Sequence, residues 1–544
     1  MNVADAIASI LKAEGVEFVT GYPVNPIIEA AAKQDIRTII VRQERTGIHM
    51  ADAYSRLTSG AGVGVFLSQN GPGTENSFGG IAQAWGESVP IVHIAAGYPR
   101  SLINVQPHFN AFLNFQHITK NAEQVEVASA AVPAMRRAFT QVRNGRPGPV
   151  LVEIPVDLFR EQVEDDLGYT RVMRTPSAPD PGAVSEVART LVAAERLVIY
   201  AGQGVHYARA WDELKELAEL LEAPVTTSLE GKSAFPEDHP LSLGSGGRSL
   251  PKAVFQFIRD ADVIFGIGCS FAATNYGIQF PAGKTIVHAT LDPGDINRTV
   301  IAQQALIGDA KLTLRAVIDA ARALIPRPRG RRDPVAAEIA RVTGEWLADW
   351  RHETHADETP LSPYRVLRDL HETVDVANTI ITHDAGSPRD QLSPFWQSTA
   401  PLSYIGWGKT TQLGYGLGLA MGAKLAHPEK LCINVWGDAA IGMTGMDFET
   451  AVRERIPILS ILLNNFAMAI ELPVMPVSTE KYRSTDISGN YSEMAKAFGG
   501  YGERITEPSE IVPAIRRGIE QTRKGTPALL EFITKKSYDY SVFR

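Results

Sequence analysis

The chain has 544 residues, 44% hydrophobic and 21% charged, with a formal net charge of -8. That length exceeds one ordinary core and predicts about three domains, and the composition excludes fibrous and disordered classes. The negative balance excludes a nucleic-acid binder, whose phosphate contacts need clustered Lys and Arg.

The first stretch, MNVADAIASILKAEG, spaces Val3, Ile7, Ile10 and Leu11 at helical intervals with acids between them. It reads as an amphipathic helix rather than a signal peptide. No apolar run reaches membrane-spanning length. The two cysteines, Cys269 and Cys432, lie in apolar runs without metal-ligand spacing, so buried thiols in a reduced cytoplasm are expected.

Three segments then alternate short apolar strands with helical patterns, which predicts an α/β fold of three doubly wound parallel-sheet domains. The first, residues 1–165, carries the strand-like runs RTIIVRQE, GVGVFLSQNGPG, VPIVHIAAG and GPVLVEIP. A Pro- and Asp-rich linker follows at residues 174–183. The central domain, 184–325, holds RLVIYAGQG, APVTTSLEG, ADVIFGIGCS and TIVHATLD. Its Gly202-Gln203-Gly204 turn is only a partial dinucleotide fingerprint, since the third glycine is missing. The basic run IPRPRGRRDP, residues 325–334, reads as a solvated connector in preference to a phosphate site. The last domain, 360–544, supplies NTIITHDAG, KLCINVWGD, ILSILLNN and PALLEFIT.

In sheets of this kind ligands lie beyond the carboxyl ends of the strands. Gly437 and Asp438 end one run and Asn464 and Asn465 end the next, 27 residues from Asp438 to Asn465. A helix over 447–455, broken by Pro457, makes this one right-handed βαβ unit, so Asp438 and Asn465 emerge at the same sheet edge. A carboxylate and an amide oxygen are hard donors that suit Mg²⁺, which completes its octahedron with phosphates and water. The plain alternative is a Gly-Asp turn and an Asn cap.

Gly-Asp, about 27 residues, then Asn-Asn resembles the pattern of the thiamine diphosphate enzymes, and the chain looks like that superfamily over its whole length. The resemblance implies thiamine diphosphate and Mg²⁺ as cofactors, with Asp438, Asn465 and the carbonyl of Ala467 as metal ligands. Gly386, Ser387, Gly437, Ala439, Ala440 and Met468 would lie around the diphosphate. This chain has Gly-Asp-Ala where many members have Gly-Asp-Gly, which leaves diphosphate contacts at Ala439 and Ala440 to backbone amides. Leu413 resembles the apolar wedge that bends the cofactor, and Gly414, Gly416 and Gly418 let backbone approach it or pack closely on another helix. Glu44, at the end of IIVRQE, matches the glutamate that shares a proton with the aminopyrimidine ring; otherwise it is a first-turn helix acid. The first domain is then pyrimidine-binding and the last diphosphate-binding. Active sites shared between subunits imply a homodimer or homotetramer, with small-molecule substrates and no membrane or nucleic-acid partner.

GDAAIGMTGMDFET is similar to oxalyl-CoA decarboxylases and 2-hydroxyacyl-CoA lyases at Gly442, Gly445, Met446, Glu449 and Thr450, whereas SVPIVHIAAG and KSAFPEDHPLSLG look like acetolactate synthase. Glu471, six positions beyond Asn465, is a candidate acid or base at the substrate oxygen, or a surface glutamate before Leu472-Pro473. Gln69, Asn25 and His108 are further candidates for the cavity wall, each with a satisfied loop residue as the alternative. On these grounds the favoured reaction is cleavage of a 2-hydroxyacyl-CoA to formyl-CoA and a ketone or aldehyde. The alternatives are a 2-oxo acid decarboxylase or acetolactate synthase-like carboligase, against which the central domain lacks a clear flavin signature, and a silent cofactor-binding scaffold. The tail FITKKSYDYSVFR reads as a lid over the substrate or as a frayed end.

Overall fold

The computed structural model describes residues 1–543. The chain divides into two compact units. One comprises Met1–Thr175, Gly414–Glu429 and Thr444–Ile456; the other comprises Pro176–Leu413, Lys430–Met443 and the chain from Pro457 onward.

The first unit holds a parallel six-stranded sheet of β1 (Phe18–Gly21), β2 (Arg37–Ile40), β3 (Gly64–Ser68), β4 (Ile91–Gly97), β5 (Asn121–Gln124) and β6 (Val150–Pro155), in the order β2-β1-β3-β4-β6-β5. The amino-terminal helix Val3–Ala13 forms as the spacing predicts. Asn2 caps it by accepting from the Asp5 N–H at 2.8 Å, and Ile7, Ile10 and Leu11 are fully buried. Each such side chain contributes about 1.5–3 kcal/mol by leaving water. The helix Glu44–Leu57 packs on the helix Tyr415–Ala426. A Cβ on Gly418 would lie 2.5 Å from the His49 Cβ, and one on Gly422 would lie 2.2 Å from the Met50 carbonyl oxygen. At Gly418, then, the missing side chain serves helix–helix contact, the second of the two roles the sequence allowed.

The second unit holds two sheets. The central one contains β7 (Leu197–Ala201), β8 (Val225–Thr227), β9 (Ser242–Ser245), β10 (Val263–Ile267), β11 (Thr285–Thr290) and β12 (Gln304–Ile307), in the order β12-β11-β10-β7-β8-β9. This is a dinucleotide-fold order, with its reversal between β7 and β10. The turn after β7 is closely packed there: a Cβ on Gly202 would lie 2.5 Å from the Gly268 oxygen, and the Gly204 N–H donates to that oxygen at 2.8 Å. The basic run after this domain is more than a solvated connector. Backbone N–H groups of Arg329, Gly330, Arg331 and Arg332 all donate to the Glu222 carboxylate. Burial pushes Glu222 up, but those four donors outweigh it and hold the group below its ordinary value.

The last sheet contains β13 (Thr379–His383), β14 (Tyr404–Ile405), β15 (Leu431–Gly437), β16 (Leu459–Asn464), β17 (Tyr501–Ile505) and β18 (Ala528–Ile533), in the order β14-β13-β15-β16-β18-β17. Counted within its own domain, it repeats the first sheet's order, and both reverse between their first and third strands. All recorded strand pairs in the three sheets are parallel. Covered on both faces, β16 buries all six of its residues, which explains its unbroken apolar run. Among the described residues no helix is long and apolar enough to cross a membrane.

Candidate active site

The reversal between β13 and β15 opens a crevice at the carboxyl ends of the last sheet, where a ligand is expected. β13 leads to Gly386, which sits at φ 84° and ψ -147°, a conformation open to glycine, and starts the short helix Ser387–Leu392. β15 ends at Gly437 and passes at once into the helix Asp438–Thr444; the expected 447–455 helix is confined to Phe448–Arg453 after a 3-10 turn. Because Gly437 pairs with Leu463 across β15 and β16, Asp438 and Asn464 emerge at the same level. A cavity of about 130 Å³ lies there. Its lining includes Gly386, Ser387, Leu413, Gly437, Asp438, Ala439, Ala440, Asn465, Ala467, Met468 and Glu471. The diphosphate-side candidates therefore converge, and Glu471 converges with them.

Asp438 is 3% exposed, and burial pushes its carboxyl up to about 6 against the pull of backbone N–H groups. Its Oδ1 accepts from the Ala439 N–H at 2.9 Å and its Oδ2 from the Ala467 N–H at 3.0 Å. The same Ala467 N–H also donates to the Asn465 Oδ1 at 3.0 Å, which holds the carboxylate and amide oxygens beside one another. Phe466 makes the turn between them at φ 57°. Met468 donates to the Thr485 carbonyl and Ile487 to that of Phe466, so in this antiparallel bridge the Ala467 N–H and C=O turn away from Asp486.

The two asparagines divide their work. Asn464 is buried, donates to Glu531 Oε1 at 2.8 Å and accepts from the Phe466 N–H at 3.1 Å, while Asn465 reaches the cavity. Glu531 also accepts from Arg504 and the Ser492 N–H. The sequence reading missed it, although a lone acid within PALLEFIT was a usable sign. Glu531→Ala leaves the buried Asn464 amide and the Ser492 N–H without their acceptor, while the partly exposed Arg504 keeps the Gly489 carbonyl; the expected cost is about 1–3 kcal/mol, measurable by urea unfolding.

The donor set suits a magnesium ion: a carboxylate, an amide oxygen and a backbone carbonyl, all hard oxygens. No group of three or more His, Cys, Asp and Glu side chains that could hold a metal occurs among the described residues, so amide and backbone oxygens must complete this set. Beside it lie the N-terminal ends of two short helices, Ser387–Leu392 and Asp438–Thr444, whose partial positive charge suits an anion. The Ser387 hydroxyl is 2.7 Å from that of Tyr540. The tail is docked rather than frayed, since the Tyr364 hydroxyl donates to the Asp539 carbonyl at 2.5 Å and the Leu250 N–H to the Ser541 carbonyl at 2.9 Å.

In the first unit β2 ends before Glu44, which begins its helix and is 6% exposed. Burial raises its carboxyl above the ordinary value, while its own backbone N–H and Asn76 pull it back. The Asn76 amide donates to Glu44 Oε2 at 3.3 Å. A Cβ on Gly73 would meet Gln69 Cγ at 2.7 Å and Glu44 Oε1 at 3.4 Å, so Gln69 lies in the Glu44 neighbourhood and only glycine allows that approach. His108 stacks on Tyr98 at 4.1 Å, and the Tyr98 hydroxyl abuts Gly71 of the same loop. Asn25 is the exposed first residue of the helix Asn25–Lys33, where no contact brings it to Glu44. Asn76 and Gly73 were missed because nothing in GPGTENSF marks which helical face turns to the strand end.

Comparison with known proteins bears on the three domains. Models of the N-terminal, central and C-terminal domains of thiamine pyrophosphate enzymes match residues 1–128, 184–317 and 384–532. The chain is 30% identical to a probable acetolactate synthase large subunit of Methanocaldococcus jannaschii, covering 98% of this chain and 92% of that protein. It is 27% identical to the acetolactate synthase isozyme 3 large subunit of Escherichia coli K12, covering 96% and 93%. It is also 27% identical to the glyoxylate carboligase of Escherichia coli O157:H7, covering 100% and 94%. With full-length relatives and three matched domains in order, the chain belongs to the thiamine diphosphate-dependent enzymes.

Proposed function

We propose that the protein releases carbon dioxide from a 2-oxo acid and joins the remaining acyl carbon to the carbonyl of a second 2-oxo acid or aldehyde. The likeness to acetolactate synthase and glyoxylate carboligase over nearly the whole chain carries this reading. The residues that favour a 2-hydroxyacyl-CoA lyase have local work of their own. Glu449 pairs with Arg42 at 2.8 Å and Arg453 at 3.1 Å, and Thr450 donates to Asp447, which also accepts from the Arg42 N–H at 2.7 Å. Substrate choice therefore need not explain Glu449 or Thr450.

In this reading the domains are 1–165, 184–325 and 360–544, and the site is completed between two copies of the chain in a homodimer or homotetramer. Asp438, Asn465 and the Ala467 carbonyl would hold Mg²⁺, with Gly386, Ser387, Gly437, Ala439, Ala440 and Met468 on the diphosphate side and Leu413 against the cofactor. When bound, thiamine diphosphate supplies an acidic carbon and an electron sink. Glu44 would share a proton with the aminopyrimidine ring, and its burial favours the protonated carboxyl that this role needs. Gln69 positions the ring side of the site, with His108 and Asn25 farther out. Glu471 takes or returns the proton of the substrate oxygen.

Assay of the purified chain with thiamine diphosphate, Mg²⁺ and either pyruvate or glyoxylate is expected to yield carbon dioxide and a coupled product. Formyl-CoA from a 2-hydroxyacyl-CoA, with no carbon dioxide from 2-oxo acids, would replace this reading by the lyase. Inactivity toward all these substrates, with cofactor bound, would favour the silent scaffold.

A further inference from the structure

The second unit contains a larger cavity, of about 470 Å³, within the roughly 300–1,000 Å³ range of small-molecule sites. It lies where the helix Arg332–Asp349 and the short helix Arg351–Thr354 meet the helix Pro363–Thr373 and the Phe395-Trp396 turn. Its wall is apolar and aromatic, with Tyr364, Leu367, Phe395 and Trp396 prominent. The polar groups that join it are Arg351, Arg368, His355, His371, Thr354 and one acid, Glu372, which is paired with Arg368. Arg351 is exposed and makes no ion pair among the described residues, whereas the Trp396 indole N–H, which also lacks an acceptor, is sealed from the cavity. Arg368 also lines the cavity but is tied to Asp369, at 2.5 Å, and to Glu372. Desolvation and then the Arg368 and Arg351 charges push the exposed His355 imidazole down, while Glu372 pulls it up.

Two elements serve both cavities. Pro363 lines the Asp438 cavity, while Tyr364, Leu367 and Arg368 of the same helix line this one. Ser387 and Gln391 line the first, and Leu392, on the same short helix, lines the second. Tyr364 further holds the Asp539 carbonyl, next to the Tyr540 that meets Ser387.

We propose that this cavity is an effector site for a planar, largely apolar anion of the aromatic carboxylate class, and that its occupation changes cofactor affinity through these shared helices. Aromatic walls accept a flat apolar body, and the unpaired Arg351 guanidinium supplies both donor and charge for a carboxylate. The coupling, unlike the site itself, rests on the reading of the Asp438 cavity as the diphosphate site.

The probe is 2-naphthoate, titrated calorimetrically into the cofactor-free full-length chain, with neutral 2-naphthylmethanol as its isostere. Saturable one-to-one binding is expected, and the alcohol should bind at least about tenfold more weakly, the worth of a charged hydrogen bond. Arg351→Gln should weaken naphthoate by about five- to tenfold. Gly344→Trp should abolish binding; a Cβ at Gly344 meets nothing within 4 Å and the helix gains by losing a glycine, so this variant folds. Absence of binding, equal binding of the alcohol, or unchanged binding in Gly344→Trp and Arg351→Gln would overturn the site. Saturating naphthoate should also shift the thiamine diphosphate Kd by at least about threefold, and the cofactor should shift the naphthoate Kd equally. Naphthoate binding with the cofactor bound and its Kd unmoved would overturn the effector role and leave the site standing, whereas no cofactor binding at all would count against the diphosphate reading.

Discussion

Glu44→Gln is expected to lower turnover by about 10²–10⁴-fold, the range for loss of a positioned proton-transfer group, while thiamine diphosphate and Mg²⁺ still bind. Glutamine keeps the size and the Asn76 contact but cannot exchange a proton. The sign of the pH effect follows from burial, which raises Glu44 above its ordinary value. Below that raised value the carboxyl holds its proton, and above it the proton is lost, so wild-type turnover should decline along the alkaline limb that Glu44 controls. Steady-state rates from a 2-oxo acid across pH, with cofactor binding measured separately, test this. Turnover within a factor of five of wild type would remove Glu44 from the reaction.

Asp438→Asn should leave the stability of the cofactor-free chain nearly unchanged while abolishing its stabilisation by cofactor and Mg²⁺. The folded value of about 6 lies above the ordinary 3.8. For a raised carboxylate the associated stability is full below the unfolded value and is lost as pH rises through the folded one. At pH 8 the buried charge therefore costs about 3 kcal/mol, which asparagine relieves. Asparagine also has one oxygen for the Ala439 and Ala467 N–H groups and turns its NH2 toward the other, so either Ala439 loses its acceptor or Ala467 keeps only the Asn465 Oδ1, at about 1–3 kcal/mol. The two terms offset each other. Cofactor with Mg²⁺ at a hundredfold excess over Kd should stabilise the wild type by about 2.7 kcal/mol and the variant hardly at all. Differential scanning calorimetry at pH 8 with and without ligands reads both effects. Equal ligand-induced Tm shifts in the two proteins would rule Asp438 out as a ligand.

Most strands legible in the sequence were those buried on both faces, because solvent exclusion writes an unbroken apolar run; the exception is the edge strand β2, read from RTIIVRQE although only one of its four residues is buried. In the last sheet the legible strands are β13, β15, β16 and β18, and the two edges, β14 and β17, were missed. The central sheet repeats that pattern with its edges β9 and β12. Edge strands are short and half wet: Tyr404-Ile405 is two residues, and Tyr501–Ile505 mixes Glu and Arg into its run. In the first sheet the inner strand β1 escaped as well, since FVTG is only four residues before a Gly-Tyr-Pro turn.

The sequence alone determined the alternation of strands and helices, the spacing that brings Asp438 and Asn465 to one edge, and the chemistry of those donors. These follow from local rules: apolar periodicity, strand-ending polar residues and the parallel geometry of a βαβ unit. Tertiary structure alone decided which asparagine faces the cavity, that Glu531 anchors the other, and that the tail reaches Ser387. It also decided that Gly418 serves a helix contact and that Glu222 fills the nest of the basic run. Each of these joins residues far apart in the chain, and no local pattern encodes a partner that only folding brings near.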